Sequence, residues 1–105
     1  MMNDVLPFID MYRERGEQLG IATVVKTYGS APRQVGAKMV VSASGAVAGS
    51  VSGGCVEGAV FETLQEVMQS GVPQLLHFGV ADEQAWEVGL ACGGEIDVFC
   101  ERLDW

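Results

Sequence analysis

Near the start of this chain, Val5, Phe8, Ile9 and Tyr12 recur at helical spacing, the period that lays one apolar stripe along an α-helix. Asp4 is placed to cap this helix, which runs to about Arg15, and Pro7 falls in its first turn, where a missing N–H costs little. Gly16 or Gly20 ends it. From Ile21 to Tyr28 β-branched residues take over and predict a strand. Lys38 to Ser42 predicts a second strand, Ser42-Ala43-Ser44-Gly45 a turn, and Ala46 to Ala48 a short third strand. Helical spacing returns from about Val56 to Gln69: Val56, Val60, Leu64 and Val67 form one stripe, flanked by Phe61 and Met68, with Glu62, Glu66 and Gln69 toward water. Gly71 and Pro73 punctuate its end. Leu75 to Gly79 predicts a strand, and Ala81 to Cys92 a loop with room for one helical turn around Glu83 to Trp86. In the last strand, Glu95 to Arg102, Ile96, Val98 and Cys100 share one face.

The order α-β-β-β-α-β-β predicts one α/β domain, a mixed β-sheet of about five strands with two main helices packed on it. The length of 105 residues fits that reading. No apolar run approaches the ~20 residues a membrane span needs, and the first residues lack a secretory pattern. The expected location is cytoplasmic, where Cys55, Cys92 and Cys100 stay thiols. A net charge of −8, from 14 acidic and 6 basic side chains without a basic cluster, argues against a phosphate backbone as ligand. Neither nucleic acid nor a membrane is an expected partner.

Glycine changes the picture. Ten of the 14 glycines fall in three places: 29–36, 45–58 and 89–94. In the middle one, Gly49-Ser50-Val51-Ser52-Gly53-Gly54-Cys55 runs straight into the second helix. A helix start offers unpaired N–H groups and a partial positive charge, Gly53 and Gly54 let a ligand approach them, and Ser50 and Ser52 add hydroxyl donors. Neither the Walker pattern nor Gly-x-Gly-x-x-Gly is present. The alternative is a tight strand-to-helix turn.

Cys55 shares that helix start, which favours a thiolate, while Glu57 opposes it; a packing role for Cys55 stays open. Cys92 stands beside Gly93 and Gly94 in a loop, where packing gives little reason for a thiol. Cys100, on the apolar face of its strand, reads as core. No Cys-x-x-Cys pair exists and His77 is the one histidine, so a zinc site is not expected; a soft thiolate at Cys55 or Cys92 could still meet molybdenum or sulfur carried by a ligand. Arg33 is one of few cations and suits bidentate contact with phosphate, against the plainer reading of a solvated arginine. Glu57 and Glu95, beside the two Gly-Gly pairs, read as capping or solvated carboxylates, with acceptance from pterin-like N–H groups as the alternative. His77 reads as a sheet residue, and Trp86 and Trp105 as packing or interface residues.

The chain resembles the N-terminal domain of the XdhC/CoxI family, accessory proteins of xanthine dehydrogenase and related molybdenum hydroxylases. The resemblance rests on Thr27-Tyr28-Gly29-Ser30-Ala31-Pro32-Arg33, Gly36-Ala37-Lys38-Met39, Gly49 through Glu57, and Gly89-Leu90-Ala91-Cys92-Gly93-Gly94-Glu95-Ile96-Asp97-Val98. It implies a chaperone, more an accessory protein than an enzyme, that binds molybdenum cofactor (molybdopterin) transiently during sulfuration and delivers it to a xanthine dehydrogenase-type apo-enzyme. Carried onto this sequence, Arg33, Ser50, Ser52, Gly53, Gly54, Cys55, Cys92, Gly93 and Gly94 become candidate cofactor-binding residues, with Cys55 and Cys92 the candidate molybdenum contacts. A cysteine desulfurase is the implied sulfur source. Larger members continue into a C-terminal Rossmann-type domain that residues 1–105 do not include, so a separate polypeptide or a homodimer is the expected complement. The competing readings are a persulfide-carrying thiol protein and a non-catalytic interaction domain of a hydroxylase assembly.

Overall fold

The computed structural model describes residues 2–28, 35–51, 56–79 and 95–103. The elements follow the expected order: α1 (Met2–Glu14), β1 (Leu19–Tyr28), β2 (Lys38–Ser42), β3 (Val47–Gly49), α2 (Glu57–Ser70), β4 (Gln74–Gly79) and β5 (Glu95–Leu103). α1 starts ahead of Asp4, so that residue lies in its first turn instead of capping it. Pro7 is consequently inside the helix, where its missing N–H forfeits an intrahelical bond. The stop at Gly16 is a Schellman arrangement: Gly16 N–H bonds Arg13 C=O and Glu17 N–H bonds Tyr12 C=O, each at 3.0 Å. At its far end α2 closes on Gly71, whose N–H reaches Val67 C=O at 2.8 Å.

The sheet order is β3-β2-β1-β5-β4, and all four pairings are antiparallel. The expectation of a mixed sheet is therefore corrected. Four antiparallel steps leave β3 and β4 pointing the same way, but at opposite edges. The crossover through α2 thus joins two strands that never become neighbours, and the parallel pair it could have made does not form.

The helices pack on opposite faces, as the alternation of side chains along each strand requires. Leu19, Ile21, Val40 and Leu103 meet Val5 and Ile9 of α1, with Phe8, Tyr12 and Ala48 closing around them. Ala22, Val24, Met39, Val41, Ile96, Val98 and Cys100 meet Val60, Leu64, Val67 and Met68 of α2. Burying a side chain such as Leu64 contributes about 1.5–3 kcal/mol. α2 crosses close to β1, because Gly20 brings no side chain between them: a Cβ there would lie 3.2 Å from Leu64 Cδ2. Among the described residues, no helix is long and apolar enough to cross a membrane.

Candidate functional site

The strand directions put the flanks of the three glycine-rich segments at one end of the sheet. Tyr28, the last residue of β1, pairs with Glu95, the first of β5, and Glu95 pairs with Gly79, the last of β4. The next strand along, β2, begins at this end with Lys38 opposite Thr23, and β3 leaves it with Gly49 opposite Met39. The rim is stepped: β1 runs five residues past Thr23, about 17 Å at strand rise. Residues 29–34 and 80–94 thus attach further out than residues 52–55. β1 carries a register shift between Val24 and Lys26 within this overhang.

The run from β3 into α2 is fixed at each described residue. Gly49 has φ +78°, and a Cβ there would collide with the Lys38 carbonyl oxygen; only glycine passes this point without displacing backbone. Ser50 N–H then bonds that same carbonyl at 3.0 Å. Glu57 reaches back from the first turn of α2. Its Oε2 accepts from Ser50 Oγ at 2.5 Å and from Val51 N–H at 2.9 Å. A carboxylate is favoured at a helix start, and no side chain at Val56 caps α2. Val51 and Val56 are buried with Val60, Phe78 and Ile96, so both ends of the 52–55 segment are anchored in the core.

Of the nine candidate cofactor-binding residues, the described structure contains Ser50 alone; Arg33, Ser52, Gly53, Gly54, Cys55, Cys92, Gly93 and Gly94 lie outside the described residues, as do Trp86, Trp105 and the helical turn expected around Glu83 to Trp86. The Ser50 hydroxyl proton is directed to Glu57, so this serine tightens its own loop. Lys38 Nζ donates to Thr23 Oγ1 at 3.1 Å, across the β1–β2 ladder. Cys100 is fully buried, and desolvation pushes its thiol up to about 12, a core residue as its strand pattern requires. Among the described residues no group of three or more His, Cys, Asp or Glu side chains is arranged to hold a metal ion.

Two features escaped the sequence pattern. One is the use of Glu57 as the loop's acceptor. The other is the setting of His77: its Nδ1 lies 2.5 Å from Asp97 Oδ1 and its Nε2 3.5 Å from Glu95 Oε2. Register alone creates that cluster, because His77 pairs with Asp97 across β4 and β5.

Residues 12–79, well over half the chain, match the XdhC and CoxI family. The chain belongs to that family. Its XdhC and CoxI relatives include a probable xanthine dehydrogenase subunit from Bacillus subtilis (strain 168), 33% identical over 104 residues, which are 97% of this chain and 32% of that protein. The molybdenum cofactor insertion chaperone PaoD of Escherichia coli (strain K12) is 40% identical over 90 residues, 84% of this chain and 27% of its own length. A crystal structure of a xanthine dehydrogenase from Bacillus halodurans superposes with a TM-score of 0.77 at 28% identity, over 93% of this chain and 30% of that one. This XdhC/CoxI domain thus spans about a third of the length of the relatives it matches. The matched region contains the glycine-rich run into α2 and its Glu57 clamp.

Proposed function

We propose that this domain is a molybdenum cofactor-binding chaperone that serves the sulfuration and insertion steps of a xanthine dehydrogenase-type hydroxylase. The observation that carries the reading is the common exit of the glycine-rich segments from one end of the sheet, where the Glu57 clamp anchors the segment that holds Cys55. Membership of the XdhC and CoxI family and the likeness to a cofactor insertion chaperone support it. The cofactor is cargo here. Backbone N–H groups of Ser52, Gly53 and Gly54, with the Arg33 guanidinium, suit its phosphate. Cys55 and Cys92, each beside a glycine pair that admits a bulky ligand, suit its soft molybdenum–sulfur end. Gly93 and Gly94 extend that opening. The receiving apo-hydroxylase, a cysteine desulfurase as sulfur donor, and a second polypeptide or second copy that completes the pocket are the partners this role requires.

The test is oxidative fluorescence analysis of pterin in protein purified from cells that make molybdenum cofactor. Wild-type protein carries pterin, and the double variant Cys55→Ser, Cys92→Ser carries several-fold less. Equal pterin in both removes the thiols from the mechanism. Pterin absent from wild-type protein, and no binding on direct titration, overturns the reading as a whole.

A further inference from the structure

His77 is the one histidine of the sequence, and it lies between two carboxylates on the neighbouring strand. We propose that His77, Asp97 and Glu95 form a proton-operated latch between the edge strand β4 and β5, closed when the imidazole is protonated and relaxed when it is neutral. The argument begins with donor count. A neutral imidazole has one N–H, and the imidazolium has two. Asp97 Oδ1 faces Nδ1 at 2.5 Å and Glu95 Oε2 faces Nε2 at 3.5 Å, so the protonated ring alone can donate to both. Two negative charges at these distances also favour the charged ring. Among the described residues, the remaining charged group abreast of the cluster is Lys26, opposite Asp97 on β1, while Tyr28 stands opposite Glu95.

The position gives the latch its consequence. β4 is the last strand of the sheet and pairs with β5 alone, so side-chain ties across this ladder carry more of its attachment than they would in a central strand. His77 lies two residues before the end of β4, and Glu95 is the first residue of β5. The latch therefore fastens the two strand ends from which residues 80–94, including Cys92, depart. With its ring pKa raised on folding, His77 contributes attachment that is full below the unfolded value of about 6.5 and is lost as pH rises through the folded value. The His77 side chain is 47% exposed, so solvent screens the tie and its effect stays in the range of exposed ion pairs, about 1.5- to 5-fold in an opening equilibrium.

A lone histidine gives an unambiguous reporter. An NMR titration of the His77 ring in the whole chain is expected to show a midpoint above the ordinary ~6.5, moved down toward it in Asp97→Asn and, as a second variant, in Glu95→Gln. Hydrogen-exchange protection factors for residues 74–79, compared at about pH 5.5 and about pH 8.5 on either side of that ordinary value, are expected to fall with rising pH by about 1.5- to 5-fold. The same comparison in His77→Gln shows no step, and α2 shows none in either protein. A midpoint at or below ~6.5, or a step that survives in His77→Gln, overturns the latch. None of these readouts involves a pterin, so the latch and the chaperone reading stand or fall separately.

Discussion

The Val51 N–H donates to Glu57 Oε2 at 2.9 Å, tying the residue before the Ser-Gly-Gly-Cys segment to the residue two places after it. Ser50 Oγ donates to the same oxygen. One carboxylate oxygen thereby closes the base of a loop whose tip carries the candidate thiol Cys55. Replacing Glu57 by Ala removes both bonds and leaves the N–H of a buried residue without its acceptor. The expected loss is about 2–4 kcal/mol, since hydrogen bonds to charged groups contribute about 1.5–3 kcal/mol each. Glu57→Gln keeps an acceptor oxygen and should lose about half as much. Urea denaturation measures both. Exchange at the Val51 amide locates the effect; unchanged protection there in Glu57→Ala would show that the clamp does not hold the loop.

Gly49 supplies a second, independent test of the same entry. Its φ of +78° and the collision of any Cβ with the Lys38 carbonyl act together, so Gly49→Ala should cost about 2–4 kcal/mol. Gly16 has a similar φ of +73° but open space around it, and Gly16→Ala should cost about 1 kcal/mol, the backbone penalty alone. Thermal or urea denaturation of the two variants reads the difference. Equal losses would mean that the contact with Lys38 is relieved by a small shift of the chain.

Cys100 distinguishes a core thiol from a working one. With its thiol pushed up to about 12 by burial, it should resist iodoacetamide at neutral pH until the chain unfolds. The sign for stability follows: above about pH 9, the ordinary thiol value, the unfolded chain sheds a proton that the folded chain keeps. Stability then falls as pH rises. A Cys100→Ala variant should show a shallower decline over that range in denaturation curves measured against pH.

Glu17 gives the acid side. The Ser44 hydrogen bonds hold its carboxyl below the ordinary carboxylate value, including the donation from Ser44 N–H to Oε1 at 3.0 Å. A depressed carboxylate stabilises the fold above its unfolded value of about 4.5 and loses that contribution as pH falls through the folded value. Glu17→Gln should therefore flatten part of the acid limb of the stability profile and leave the limb above neutral pH unchanged. An acid limb identical to wild type would remove the Ser44 bonds from the stability of the β2–β3 turn.

The elements are largely legible in the sequence because local pattern determines them. The stripe of Val60, Leu64 and Val67 and the alternation of Ile96, Val98 and Cys100 both end in the α2-side core. Sheet order is not legible, because nothing local states that β5 inserts beside β1 and leaves β3 and β4 at opposite edges. The start of α1 departs from its pattern for the opposite reason: Asp4 is a good cap by type, yet the helix continues ahead of it. At the candidate site, residue types point to the glycine-rich loops, while the role of Glu57 and the grouping of His77 with Asp97 depend on tertiary register. Glu57 has one local signal, a carboxylate in the first turn of a helix preceded by an uncapped loop.

Whether the two glycine-flanked thiols meet is measured most directly by a short bifunctional thiol reagent applied to the native chain, with Cys100 shielded in the core. Peptide mass spectrometry should find Cys55 joined to Cys92 in folded protein and not in urea-unfolded protein at equal concentration. Separate one-armed adducts on each cysteine of the folded chain, with no joined peptide, would contradict a shared pocket.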